Sequence, residues 1–193
     1  NPSIYDLGYL LGPRINAGGR VGKCSHGANL LLNKDPKNSF QLASELDQYN
    51  KERQLLEKDL LQSILNKTKV NSDDPVLILS GSDWHEGVIG IVAARLKDKF
   101  NKPVIIISLD GDIGKASARS IVGFDIGAII IAATQENILL KGGGHKMAGG
   151  FSIKVENIKK LKDFVFRKFK NINMNLTAER PLLLDSIISP SAV

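Results

Sequence analysis

Residues 76–108 pass through a short apolar stretch, a helix-period stretch and a second short apolar stretch, and this order commits the chain to an α/β fold. Residues 76–80 read as a buried strand. Val88, Ile91, Val92 and Leu96 then fall on one face of a helix over 87–100. Val104-Ile105-Ile106-Ile107 supplies a second strand over 103–108. A strand–helix–strand unit closes parallel and right-handed. Asp110-Gly111-Asp112 has hairpin-turn chemistry, so a third strand over 114–120 returns antiparallel and makes the sheet mixed. A helix over 125–133 capped by Asp125, a strand over 151–155 and a basic helix over 158–169 follow.

Upstream, an apolar stretch over 4–11 precedes a glycine- and arginine-bearing loop over 12–23, then a short helix over 28–32. Residues 36–68 read as one long helix, with Pro36 near its start. Leu42, Leu46, Tyr49, Arg53, Leu56, Leu60 and Ile64 form a stripe at three- and four-residue steps, and Lys51, Glu52, Glu57, Lys58 and Asp59 form a charged face. Such a helix either connects two domains or lies in one core. Asn71-Ser72-Asp73-Asp74-Pro75 marks a break. Residues 181–193 read as a strand and a loop.

The 193 residues carry 26 basic and 20 acidic side chains, a net charge of +6. With 42% apolar and 24% charged residues the chain is neither disordered, collagen-like nor a coiled-coil rod. Its basic excess suits either a nucleic-acid-binding domain or plain solubility. Cys24, the single cysteine, excludes an internal disulfide framework and a multi-cysteine metal site, and accords with a reducing cytoplasm. No apolar run is long enough for a membrane helix, the longest lying near 126–133. The chain begins with Asn1 and is read as part of a longer protein.

Four clusters offer chemistry. Arg14 to Lys23 alternates glycines with arginines, which suits either close approach to a phosphate or an irregular interdomain loop. Gly22-Lys23-Cys24 lacks the Ser or Thr of a nucleotide-binding P-loop, and Ala17 stands where its first glycine belongs. Gly81-Ser82-Asp83-Trp84-His85-Glu86-Gly87 joins a strand end to a helix N-terminus, where anions bind. There Trp84 either stacks on a base or fills the core, and His85 and Glu86 form an adjacent acid–base pair. In a strand, Lys115, Ser117 and Arg119 project from one face, as a phosphate cradle or as a solvated edge. Finally, Lys141-Gly142-Gly143-Gly144-His145-Lys146-Met147-Ala148-Gly149-Gly150 brings backbone close to a ligand around His145, or is a flexible hairpin loop. The ligand reading is favoured by the His-Lys pair inside it. His26, His85 and His145 lie far apart, and no compact carboxylate–histidine metal cluster is evident.

In this order the clusters resemble the RecJ-type single-stranded-DNA exonucleases of the DHH/DHHA1 phosphoesterase family. Leu11-Gly12-Pro13-Arg14-Ile15-Asn16-Ala17-Gly18-Gly19-Arg20 resembles the segment that closes the DHH domain. Trp84-His85-Glu86-Gly87-Val88-Ile89-Gly90-Ile91-Val92-Ala93-Ala94-Arg95-Leu96 is similar to the second-domain signature, which more often has Pro at the Glu86 position. Ser117-Ala118-Arg119-Ser120 and Gly143-Gly144-His145-Lys146-Met147-Ala148-Gly149-Gly150 resemble the remaining DHHA1 motifs, the family usually having Ala at Gly149.

The resemblance implies an α/β fold: a mixed-sheet DHHA1-type domain with flanking helices, preceded by a long connecting helix. It divides the chain into the end of a DHH domain (1–33), the connector (34–70), DHHA1 (71–172) and the start of a following domain such as an OB-fold (173–193). It implies a metal-dependent exonuclease degrading single-stranded DNA 5′ to 3′ in recombination and repair. Mn²⁺ or Mg²⁺ would sit on ligands upstream of this chain, so none is expected on these residues and the isolated segment is expected to be inactive. Arg14 would approach the scissile phosphate, with His145 the second catalytic group. Arg20, Trp84, His85, Lys115, Ser117, Arg119, Gly143, Gly144 and His145 would contact the strand. Expected protein partners are repair factors such as a single-strand-binding protein or a helicase. The alternatives are a DHH-family phosphodiesterase acting on short oligonucleotides or cyclic dinucleotides, and a binding module without catalysis.

Overall fold

The computed structural model describes residues 2–67 and 74–172. The expected strand over 181–193 and the expected following domain lie outside them. A π-helical segment, Asp6–Leu11, leads into α1 (Gly12–Val21), α2 (Ser25–Leu32) and the 32-residue α3 (Pro36–Lys67). Then come β1 (Leu77–Ser82), α4 (Glu86–Phe100), β2 (Val104–Asp110), β3 (Ile113–Arg119), α5 (Ile126–Gln135), β4 (Lys141–His145), β5 (Ala148–Lys154), a 3-10 turn and α6 (Ile158–Lys170).

The sheet has five strands in the order β1-β2-β3-β5-β4. β1 and β2 are parallel and every other pair is antiparallel, so the sheet is mixed as expected. Two apolar layers sandwich it. Val104 and Ile106 join α4 and the C-terminal part of α3 on one side, with Leu60, Ile64, Val88, Val92 and Leu96 buried there. Ile105 and Ile107 face the other side, with α5 and α6 supplying Ile126, Ile130, Leu161, Phe164 and Phe169. The β-branched run of β2 is buried on both faces, which is why it shows no alternation. Asn101 takes the left-handed conformation (φ 50°) just past α4 and ends it.

Two expectations are corrected. Residues 12–21 form α1 rather than a loop. Pro13 starts the helix, and Gly18 serves packing: a Cβ there would lie 2.6 Å from the Lys23 carbonyl oxygen and 3.3 Å from Leu46 of α3. Residues 141–150 are likewise a paired β4–β5 hairpin, with β5 starting at Ala148 rather than at 151.

Candidate nucleic-acid groove

α4 packs across β2 and β3 but leaves β5 and β4 open on its side of the sheet. Residues paired across a sheet share a face, so the register gives three rows on that open face. They are Lys115–Ser152–Lys141, Ser117–Gly150–Gly143 and Arg119–Ala148–His145. A floor of small residues thus lies between Lys115 and Lys141 at one end and Arg119 and His145 at the other. A concavity of about 560 Å³ follows it, lined among others by Glu86, Lys115, Ser117, Lys141, Gly143 and Ser152.

The glycines of the hairpin divide their work by parity. A Cβ on Gly143 would meet nothing within 4 Å, so its bareness keeps the groove floor open. Gly142 and Gly149 face α5, where a Cβ would press on Ile130 at 2.7 and 2.4 Å. Gly144, expected to touch the strand, also lies on that far face. A Cβ built on Gly127 of α5 comes within 3.0 Å of the Gly144 backbone.

Arg119 Nη1 donates to Ser117 Oγ at 3.1 Å and to the Ala118 carbonyl at 2.8 Å. Burial lowers the Arg119 pKa, and the nearby Arg20 cation lowers it further. No carboxylate pairs with either arginine among the described residues; Arg20 Nη1 donates to the Gly87 carbonyl at 3.2 Å. α4 approaches this pair at Gly90, where a Cβ would stand 2.9 Å from Ser117 Oγ and 3.1 Å from Arg119 Nη2.

Beyond Glu86 a second concavity of about 810 Å³ opens, lined by Arg20, Asp83, Trp84, His85, Glu86, Ser108 and Asp110 among others. Trp84 is half-buried: its ring lies over Gly81, and Ser108 Oγ donates to its carbonyl. His85 caps α4, its Nδ1 accepting from the Gly87 amide at 3.1 Å. Glu86 instead spans to β3, its two oxygens 2.7 and 2.9 Å from Lys115 Nζ, which raises the Lys115 pKa. The adjacent acid–base pair is therefore two groups with separate partners. Arg14 lies on α1 with Nε on Asp47 at 2.8 Å and Nη1 on the Leu10 carbonyl at 2.7 Å. Lys51 also binds Asp47, and with Arg14 it holds the Asp47 carboxyl below its usual range.

Lys141 and Ser152 join the groove although neither was singled out as a contact. Their signal was the hairpin register, which an exact strand start at Ala148 would have supplied. Among the described residues no group of three or more His, Cys, Asp or Glu side chains could hold a metal ion, so these residues do not fit a divalent-metal centre. Nor is any described helix long and apolar enough to cross a membrane.

A five-stranded mixed sheet with a glycine hairpin beside Arg119, flanked by helices on both faces, defines an α/β domain. The DHHA1 domain matches residues 73–171, and the chain belongs to that family. It is similar to the single-stranded-DNA-specific exonuclease RecJ of Haemophilus influenzae, 41% identical over 160 residues, covering 79% of this chain and 28% of that protein. The RecJ of Bacillus subtilis is 35% identical over 159 residues, covering 81% of this chain and 20% of that protein. Among solved structures, RecJ in complex with Mg²⁺ from Thermus thermophilus is similar, with a TM-score of 0.78 and 30% identity over 86% of this chain and 26% of that one. The chain therefore spans 20 to 28% of the length of these relatives. It is a RecJ-type DHHA1 region.

Proposed function

We propose that this chain is the strand-gripping region of a metal-dependent exonuclease that degrades single-stranded DNA 5′ to 3′ in recombination and repair. One observation carries the reading: Arg119, in the last row of the groove floor, lies close enough to Arg20 to feel its charge, and neither pairs with a carboxylate among the described residues. Two cations held together favour an anion between them, and a phosphate accepts both guanidinium forks. Ser117 adds a hydroxyl, and Gly143 and Gly150 let the strand lie close to backbone. His145, at the Arg119 end of the floor, is the group proposed to face the reacting phosphate. The free edge of Arg14, which is 41% exposed, is available to the same phosphate chain. Trp84 and His85 border its continuation past Glu86.

The divalent ion named for the Thermus structure would generate the attacking water in the intact enzyme. Its ligands are proposed to lie among residues other than those described, so this region binds, orients and neutralises, and by itself hydrolyses little. The proposed division is a DHH end over 1–33, the connector over 34–70 and DHHA1 over 71–172. A cytoplasmic location and a single-strand-binding protein or a helicase as partner belong to the same proposal and rest on the likeness to RecJ.

The test is fluorescence anisotropy with a short 5′-phosphorylated oligothymidylate over a salt series, with duplex as competitor. Three or four phosphate contacts predict a slope of log affinity on log salt of roughly −2 to −3. Arg119→Ala should lose most of the binding and keep its melting temperature. Salt-independent binding, or equal preference for duplex, refutes the reading.

A further inference from the structure

Glu86 has a position that its own helix does not explain. Two of the first amides of α4 are already satisfied: the Gly87 amide donates to His85 Nδ1 and the Val88 amide to the His85 carbonyl. The Glu86 carboxylate turns away from them and places both oxygens on Lys115 Nζ. Glu86 lines both concavities and Lys115 the first, so the ion pair stands where the two hollows meet. Lys115 opens the first row of the groove floor, directly in line with Ser152 and Lys141. Of the groove-face cations Lys115, Lys141 and Arg119 and the neighbouring Arg20, Lys115 alone has a carboxylate partner among the described residues.

We propose that Glu86 is a built-in competitor for the phosphate chain: it occupies Lys115 in the free protein, and an entering strand displaces it. This inference rests on the groove being the strand site, and it adds a control on which anions enter. A ligand must offer Lys115 a phosphate that outcompetes a tethered carboxylate. A flexible chain of several phosphates does so by gripping Arg119 and Arg20 at the same time, whereas a lone small anion does not. The carboxylate and the ammonium are both partly exposed, at 46% and 60%, so the pair is weak enough to open. Once open, Glu86 can swing into the second concavity, and the two hollows join into one path.

The experiment is a double-mutant cycle on the whole chain, read as oligothymidylate affinity by anisotropy. Glu86→Gln should tighten binding about threefold to fivefold, the upper part of the range of an exposed ion pair. Because Lys115 reaches the same phosphate in both complexes, the gain should shrink as added salt screens the competing ion pair. In a Lys115→Gln background the same substitution should change affinity less than about twofold. An equal gain in both backgrounds overturns the proposal, because Glu86 would then act by general repulsion. Equal affinity of wild type and Glu86→Gln overturns it too, while leaving the groove as the strand site. Absence of binding by wild type and by both variants removes the groove reading and this inference with it. A second readout needs no variant: the Lys115 ammonium resonance must shift when saturating oligothymidylate is added to the wild-type chain. An unmoved resonance means that Glu86 never leaves, and overturns the proposal.

Discussion

At the scale of single residues, Gly90 is the most informative position. It lies inside α4, where alanine is the better helix former by up to about 1 kcal/mol. The atoms a Cβ would meet are Ser117 Oγ and Arg119 Nη2, both at side-chain ends that can shift. Gly90→Ala should therefore hold or slightly raise the melting temperature. Binding should nevertheless fall about tenfold, because one charge-assisted hydrogen bond to phosphate is misaligned. Unchanged affinity would show that the Ser117–Arg119 geometry is not what grips the strand. Gly87 makes the contrast. Its Cβ would stand 2.0 Å from the Arg20 carbonyl oxygen, a backbone atom that side-chain rotation cannot move aside. A side chain there would therefore push α1 away from α4.

At the scale of elements, α3 holds the upstream helices and the sheet domain in one arrangement. Near its N-terminal half Leu46 packs under Gly18 of α1, and near its end Leu60 and Ile64 enter the layer shared with α4. Between them lies a polar clasp: Arg53 donates to Asn50 and Glu57, and Glu57 also pairs with Arg95 of α4. The Glu57 side chain is only 5% exposed, so it is buried between two guanidinium groups. Glu57→Ala should cost about 3 kcal/mol, the penalty for stranding a buried charge. The measurement is denaturant unfolding, and a loss under about 1 kcal/mol would reduce the clasp to a surface ion pair. Periodicity made α3 and α4 legible in the sequence, and placed Arg53 on the apolar stripe, but it could not say that Arg53 lies there to meet Glu57. It failed at α1, where Gly18 is demanded by contact with Lys23 and Leu46, and Gly22 just past its end by the Tyr49 ring of α3, tertiary facts invisible in a local window. The same holds for the hairpin. Alternation showed that Lys115, Ser117 and Arg119 share a face, because that follows from the strand alone. That Lys141 faces them required the β3–β5–β4 register, and that Gly144 faces away followed from the same pairing.

At the scale of the whole molecule, the question is whether +6 charges act as a diffuse field or through one face. The basic helix α6 carries Lys159 and Lys160 on the side of the sheet opposite the groove, beside Asp163 and Glu156 in a hollow of its own. Arg119 and Lys141 belong to the groove side by register. At physiological salt a charge acts over about 8 Å, so a lysine behind the sheet contributes little to a strand in front of it. Replacing Lys159 and Lys160 together by Gln should then change oligothymidylate affinity less than about twofold. Replacing Arg119 and Lys141 by Gln removes the same formal charge and should cost at least about thirtyfold, since two phosphate contacts go. Lowering the salt to about 0.01 M extends the screening length to about 30 Å, and the α6 pair should then begin to weaken binding as well. If the two double variants lose affinity equally at physiological salt, the protein attracts DNA as a charged body and the groove has no special claim. If they part as expected and converge only as salt is withdrawn, the basic excess steers the strand from a distance while the cradle of Arg119, Ser117 and Lys141 holds it.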